Sequence, residues 1–330
     1  MILFPYNGYV FDTHTDFQNE FISTVKTKSI EDGIAFLERE RGMTERSYPR
    51  ELEVSWQGEG EITLYISKSA DMKDAKAIKC SGGKYTLTNL EIGRDYYLRI
   101  DNGEIVHFRT LGDFPRFIKI DGLLNVRDIG GVNIKQGLLY RGSELERSYH
   151  ITDAGKKTFI HELGIKTELD LRLEMPEVQT CSAGPEVKIA KLGYRPYDEV
   201  FLEQHIEGIV KIMDFLADES NYPIYFNCMG GADRTGMIAF YLRALAGEDE
   251  ETIHLDYEIT GLSLYAAGIR EGATGFRNRH APYYVRFIEQ LRTYAPGKSL
   301  NESVEAFLLS CGVKSQTIEK IRDIITEKKA

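Results

Sequence analysis

Cysteine is scarce in this chain of 330 residues. The four present, Cys80, Cys181, Cys228 and Cys311, are too scattered for the paired spacing of a zinc or iron–sulfur site and too few for a disulfide scaffold. No metal and no cofactor is therefore expected. Long apolar runs are also missing. None approaches the roughly 20 residues that cross a bilayer, and residues 1–8 have neither a basic flank nor a long apolar stretch, so no signal peptide is expected. Positive charge is in deficit, 41 Lys and Arg against 51 Asp and Glu, for a net charge of −10. The long-range field of such a chain repels nucleic acid and anionic membrane, which excludes both as main partners and confines any positive field to a local pocket.

What is present is an ordinary globular composition, 42% hydrophobic and 11% aromatic, with enough length for two domains. Residues 1–46 form an N-terminal segment with one short amphipathic helix over 30–41. Its run Asp12-Thr13-His14-Thr15-Asp16 reads as a polar turn more readily than as a metal cluster, since no further histidine is near in sequence. Over 47–112 the pattern changes to period-two alternation, as in Glu61-Ile62-Thr63-Leu64-Tyr65-Ile66-Ser67, with turn residues such as Asp101-Asn102-Gly103 between runs. That is the pattern of a small antiparallel sandwich. Residues 87–97 are similar to the tyrosine-corner strand of fibronectin type III domains, with Trp56 as core tryptophan.

From 113 to 330 strand-like and helix-like runs alternate. Strands are expected over 117–120, 166–173, 187–192 and 223–227, and helices over 152–163, 202–217, 235–246, 281–293 and 316–328. This pattern implies an α/β domain, a central mainly parallel sheet flanked by helices, preceded by the small all-β sandwich. In such sheets ligands bind beyond the carboxyl ends of strands.

The segment Cys228-Met229-Gly230-Gly231-Ala232-Asp233-Arg234-Thr235-Gly236 lies between the apolar run 223–227 and the amphipathic run 235–246. A glycine-containing loop at a helix N-terminus turns backbone N–H groups and the positive end of the helix dipole toward one point, an anion site that needs no cofactor. Met229, Gly230, Gly231, Ala232, Asp233 and Arg234 are the expected phosphate cradle, and Arg234 adds a planar fork matched to two phosphate oxygens. The same field favours the thiolate of Cys228, a nucleophile for phosphoryl transfer without metal. Thr235 is placed to give its hydroxyl hydrogen to that sulfur. The alternative is a buried packing cysteine that happens to precede a helix.

At these residues the chain resembles the cysteine-dependent tyrosine phosphatase superfamily, whose signature is His-Cys-x5-Arg-Ser/Thr. It resembles more narrowly the bacterial and fungal group of atypical dual-specificity protein-tyrosine and phosphoinositide phosphatases. The narrower likeness rests on residues 125–131 (Asn-Val-Arg-Asp-Ile-Gly-Gly), 139–145 (Leu-Tyr-Arg-Gly-Ser-Glu-Leu) and 169–172 (Leu-Asp-Leu-Arg), and on Asp233 inside the loop. Two positions depart: the usual histidine before the cysteine is Asn227, and a lysine able to contact inositol-ring phosphates is replaced by Ala232.

The resemblance implies a phosphomonoester hydrolase acting through a phosphocysteine, on a phosphorylated protein or small phosphomonoester, with phosphotyrosine first among substrates. Phosphoinositides and inositol phosphates, or binding of phosphate without turnover, are the alternatives. It also implies a general acid some thirty residues before the cysteine. Asp198 is the first candidate, Asp233 the second, and Asp170 could also reach the pocket. Arg172 either lines the pocket or braces the loop, and Arg127 and Arg141 are expected in structural ion pairs. The stretch 270–279 could form a flap. A catalytic thiol suits a reducing compartment, so a cytoplasmic location is the default, although a secreted form would look the same once its signal was removed.

Overall fold

The chain begins with eight short strands, β1 (Ile2–Phe4), β2 (Tyr9–Phe11), β3 (Leu52–Trp56), β4 (Ile62–Ser67), β5 (Lys76–Cys80), β6 (Lys84–Leu87), β7 (Asp95–Ile100) and β8 (Val106–Thr110). The structure is a computed structural model, and it describes residues 1–27, 32, 35–36, 45–174, 179–263 and 282–327. The strands form two sheets, ordered β1-β3-β6 and β2-β8-β7-β4-β5. Alternation sorts the faces: in β3 the side chains of Leu52, Val54 and Trp56 are buried while Glu53 is exposed, and in β7 Tyr96, Leu98 and Ile100 are buried. These residues meet Leu64, Leu87 and Phe108 in one core, as the pleat requires of two half-buried sheets. The Tyr96 hydroxyl accepts the N–H of Glu91 at 2.8 Å, which ties the strand to the turn before it.

The boundary expected at residue 46 needs correction. β1 pairs with β3 and β2 with β8, so the first eleven residues complete the two sheets instead of standing apart from them. Helix α1 (Asp16–Thr27) follows. His14 beside it is taken up in hydrogen bonds, 2.6 Å to the Pro115 carbonyl and 3.2 Å to Asn19 Oδ1. The helix expected over 30–41 lies largely outside the described residues, and the 270–279 stretch wholly outside.

Six further strands, β9 (Arg116–Phe117), β10 (Arg127–Asp128), β11 (Leu139–Gly142), β12 (Thr167–Asp170), β13 (Lys188–Lys191) and β14 (Ile224–Asn227), make one sheet in the order β13-β12-β14-β11-β10-β9. β13, β12, β14 and β11 are parallel, and β10 and β9 extend the sheet in antiparallel fashion. β14 is thus central and buried along its whole length. Its Ile224 and Phe226 join the helices on one face, and Tyr225 joins Tyr140, Phe159 and Ile165 on the other.

The helices are α2 (Asp153–Lys157), α3 (Glu203–Leu216), α4 (Asp233–Leu245), α5 (Glu250–Glu258), α6 (Pro282–Arg292), α7 (Leu300–Ser310) and α8 (Ser315–Ile325). The helix expected over 152–163 loses its regular pitch: after α2 the segment Thr158–Glu162 is wound as a π turn, which carries Phe159 into the core beside Tyr225. The strand expected over 117–120 pairs only at its start, because the chain leaves the sheet to pack Ile118 and Ile120 beneath it. Both parts of the chain share contacts through Arg116, which reaches the carbonyls of Asn89 and Leu90 and the carboxylate of Asp128.

Candidate active site

The loop 228–232 joins the carboxyl end of β14, the strand between β12 and β11, to α4. Its shape follows from where its carbonyls go. The Met229 carbonyl accepts the N–H of Glu144 at 3.0 Å, and Asn125 Nδ2 reaches the carbonyls of Gly230 and Gly231, each at 3.1 Å. Arg141 donates to the Gly231 carbonyl at 2.8 Å, and Gly236 N–H to Ala232 at 3.0 Å. The carbonyls of Met229, Gly230, Gly231 and Ala232 are thus all taken up. Among the described residues none of the amides of Met229 to Ala232 meets an acceptor. Gly231 has φ +65°, and a Cβ there would lie 2.4 Å from the Gly142 backbone, so the loop cannot accept a side chain at that position.

The clamps are themselves fixed. Arg127 donates to Asn125 Oδ1 at 2.7 Å, to Asp256 Oδ1 at 2.8 Å and to the Asp256 carbonyl at 2.7 Å. Arg141 also bonds the Asp256 carboxylate, and Arg243 stands 3.5 Å from it. All five residues are buried. Burial alone would raise the Asp256 carboxyl, but Arg127, Arg141 and Arg243 together hold it far below the carboxylate range. Arg127 and Arg141 are therefore structural, as the sequence suggested.

Cys228 lies at the base of the loop, 4% exposed. Arg234, on the first turn of α4, holds both carboxylate oxygens of Glu174 at 3.0 and 2.8 Å through one guanidinium nitrogen. Its main-chain carbonyl accepts from the Tyr194 hydroxyl at 2.5 Å. Burial opposes the Arg234 charge, yet the bond it donates to Glu174 and the proximity of Cys228 keep its pKa above the ordinary value. Thr235 is buried next to it, and its Oγ1 meets no hydrogen-bond partner among the described residues. No bond joins that hydroxyl to the Cys228 sulfur in this structure.

The three candidate acids are placed differently. Asp233 opens α4, and its Oδ1 accepts the Tyr197 hydroxyl at 2.5 Å. Asp198 turns outward, 2.9 Å from Arg286, with its side chain about half exposed. Asp170 is buried in an ion network: Arg172 bonds both its oxygens at 2.8 and 2.9 Å, and Lys191 stands 3.1 Å away. Arg172 also bonds Glu144 at 2.6 Å and Glu146. Since Glu144 N–H holds the Met229 carbonyl, Arg172 and Asp170 are linked to the loop through Glu144.

Sequence reasoning missed Asn125 as a clamp, Glu174 as the partner of Arg234, Asp256 as the hub, and Tyr197. It also missed Glu168. That buried side chain accepts Asn227 Nδ2 at 2.8 Å, and burial pushes its carboxyl up from 4.5 to about 7. The folded pKa lies above the unfolded one, so the native state binds the extra proton between them. The stability this contributes is complete below the lower value and is lost as pH rises through the upper. Glu168→Gln is expected to raise the thermal midpoint at about pH 8 and leave it nearly unchanged at about pH 5. Thermal unfolding at the two pH values checks this, and an unchanged midpoint at the higher one contradicts it.

Among the described residues there is no group of three or more His, Cys, Asp or Glu able to hold a metal ion, and no helix is long and apolar enough to cross a membrane. A family model described as "Tyrosine phosphatase family" matches residues 118–327. No curated protein matches the chain. Among solved structures, the core catalytic domain of the PP-IP phosphatase SIW14 from S. cerevisiae, in complex with citrate, is 16% identical with a TM-score of 0.30, over 49% of this chain and 91% of that one.

Proposed function

Since the chain belongs to the tyrosine phosphatase family and is a phosphoric monoester hydrolase, we propose that it acts without a metal, through a phosphocysteine on Cys228, with phosphotyrosine as leading substrate. The observation that carries this reading is the capture of the Met229, Gly230 and Gly231 carbonyls by Glu144, Asn125 and Arg141, while the amides of Met229 to Ala232, directly after Cys228, meet no acceptor among the described residues.

In this reading the amides from Met229 to Arg234 and the Arg234 guanidinium hold the equatorial oxygens of the transferring phosphoryl group. Preorganised donors of this kind stabilise the charge that develops in phosphoryl transfer. The Cys228 sulfur bonds to phosphorus as the P–O bond to the leaving oxygen breaks. The electron pair stays on that oxygen, which takes a proton from an aspartic acid. A water oxygen then bonds to phosphorus, the S–P pair returns to sulfur, and the water's proton passes to the carboxylate. Thr235 Oγ1, buried and without a hydrogen-bond partner among the described residues, gives its hydrogen to the departing thiolate.

Asp233 takes the acid role, because it stands in the loop with one oxygen fixed by Tyr197. Asp198 would first have to leave Arg286. The β-sheets before residue 113 are assigned to a fibronectin III-like sandwich, a reading supported by the Tyr96 to Glu91 contact and the buried Trp56. The likeness to the bacterial and fungal dual-specificity group rests on the same motifs as before.

Ala232 removes the cation that would favour inositol phosphates, which favours phosphotyrosine. In chelator, kcat/KM for phosphotyrosine peptides is expected to exceed that for inositol phosphates and phosphoinositides by about tenfold or more, equivalent to about 1.4 kcal/mol of transition-state binding. The reverse order would transfer the assignment to inositol phosphates while leaving the chemistry intact. Phosphate binding with no turnover of any of them would reduce the site to a phosphate reader.

A further inference from the structure

Tyr197 occupies the left-handed backbone region, with φ 56°. A bulky residue adopts that conformation only where its surroundings over-determine it, and such positions cluster at functional sites. Here the ring lies 4.7 Å from that of Tyr283, and edge-on to Tyr257 and Phe287 at 6.5 Å each. The hydroxyl is 2.5 Å from Asp233 Oδ1 and 2.7 Å from the hydroxyl of Tyr257. Tyr257, on α5, is buried and stacked on Tyr284 at 4.2 Å. A chain of hydroxyls therefore runs from the packed face of α5 through Tyr197 to the first residue of α4. Because Tyr197 donates to the carboxylate, Tyr257 must donate to Tyr197, so the direction of the chain is set.

We propose that Tyr197 is a positioning residue for the acid step: its hydroxyl fixes the Asp233 carboxyl with Oδ1 as acceptor, so that the transferable proton resides on Oδ2. The inference rests on the phosphocysteine reading above and deepens it by naming the group that orients the acid. As the S–P bond forms and the P–O bond breaks, the proton on Asp233 Oδ2 moves to the leaving oxygen, which has received the electron pair of the broken bond. The carboxylate left behind keeps the Tyr197 O–H, a charge-assisted bond that offsets the new negative charge. The segment thirty residues before Cys228 thus does reach the loop. The side chain that arrives is Tyr197, while its neighbour Asp198 turns to Arg286.

The test compares kcat/KM of the parent, Tyr197→Phe and Tyr257→Phe on phenyl phosphate, 4-nitrophenyl phosphate and 2,4-dinitrophenyl phosphate, in which the leaving phenol becomes progressively more acidic and needs a proton less. Tyr197→Phe keeps the ring and its packing. It is expected to lose about 10- to 100-fold on phenyl phosphate, within the range an acid contributes, and less than about threefold on the dinitrophenyl ester. Tyr257→Phe should steepen the dependence in the same direction by a smaller factor. An equal loss on all three esters would reduce Tyr197 to a packing role and overturn the proposal. So would the same steepening in Asp198→Asn with none in Tyr197→Phe. Hydrolysis that persists in Cys228→Ser overturns the underlying phosphocysteine reading instead, whatever Tyr197→Phe shows.

Discussion

Replacing Cys228 by serine is expected to reduce hydrolysis of 4-nitrophenyl phosphate by at least about 10⁴-fold, the scale seen when a nucleophile is removed from an otherwise intact site. The size of the effect follows from the division of labour in the loop. The loop is held by Glu144, Asn125 and Arg141 through its carbonyls, and among the described residues none of the three is hydrogen-bonded to the Cys228 side chain, so the variant should keep the anion cradle and still bind inorganic phosphate. What it loses is the sulfur, intrinsically a stronger nucleophile than a serine hydroxyl. Titration of phosphate into the variant, beside the rate measurement, separates the two contributions. A chelator should leave the parent's rate unchanged. Activity surviving in the variant would contradict the assignment of the nucleophile.

The second large effect is on stability. Asp256→Ala is expected to cost about 3–5 kcal/mol, because it leaves buried arginine charge uncompensated. Arg127, Arg141 and Arg243 converge on this one carboxylate, and among the described residues only Arg243 has a second buried carboxylate partner, Glu248 at 2.5 Å. The fall in thermal midpoint should be on the order of 10 °C for a chain of this size. The sign with pH follows from the depressed carboxyl. Its folded value lies below the unfolded one, so its stabilisation is present above the unfolded pKa, about 3.9, and is lost only as pH falls through the folded value. The deficit of the variant should therefore persist across the neutral range. Activity should fall as well, since Arg141 is also the clamp on the Gly231 carbonyl. A midpoint within about 2 °C of the parent would mean that the three arginines do not depend on Asp256.

The loop was legible because everything that makes it is contiguous: an apolar strand, two glycines, Arg234 and a helix follow one another over residues 223–246. Its supports were not. Arg127 meets Asp256 across 129 positions, and Asn125 meets Gly230 across 105. Such pairs leave no local periodicity. The motif residues 125–128 nonetheless split as an alternating strand would: Asn125 and Arg127 face the loop and Asp256, and Asp128 faces Arg116. Strands of two or three residues, such as β1, β2, β9 and β10, are too short for period two to register. The π turn at 158–162 hides within a sequence that reads as continuous helix. Spacing alone pointed to Asp198, and only backbone conformation distinguishes it from Tyr197, because a left-handed residue redirects both side chains in a way that hydropathy does not encode.

The central claim is a covalent bond between Cys228 and phosphorus. Mixing enzyme with excess 2,4-dinitrophenyl phosphate, quenching in acid within the first turnover and mapping the labelled peptide by mass spectrometry tests it directly. The account predicts one phosphoryl group per chain, on the peptide that holds Cys228, formed in a burst that matches the first equivalent of phenol released. Turnover with no burst and no labelled Cys228, or label on another residue, would contradict it.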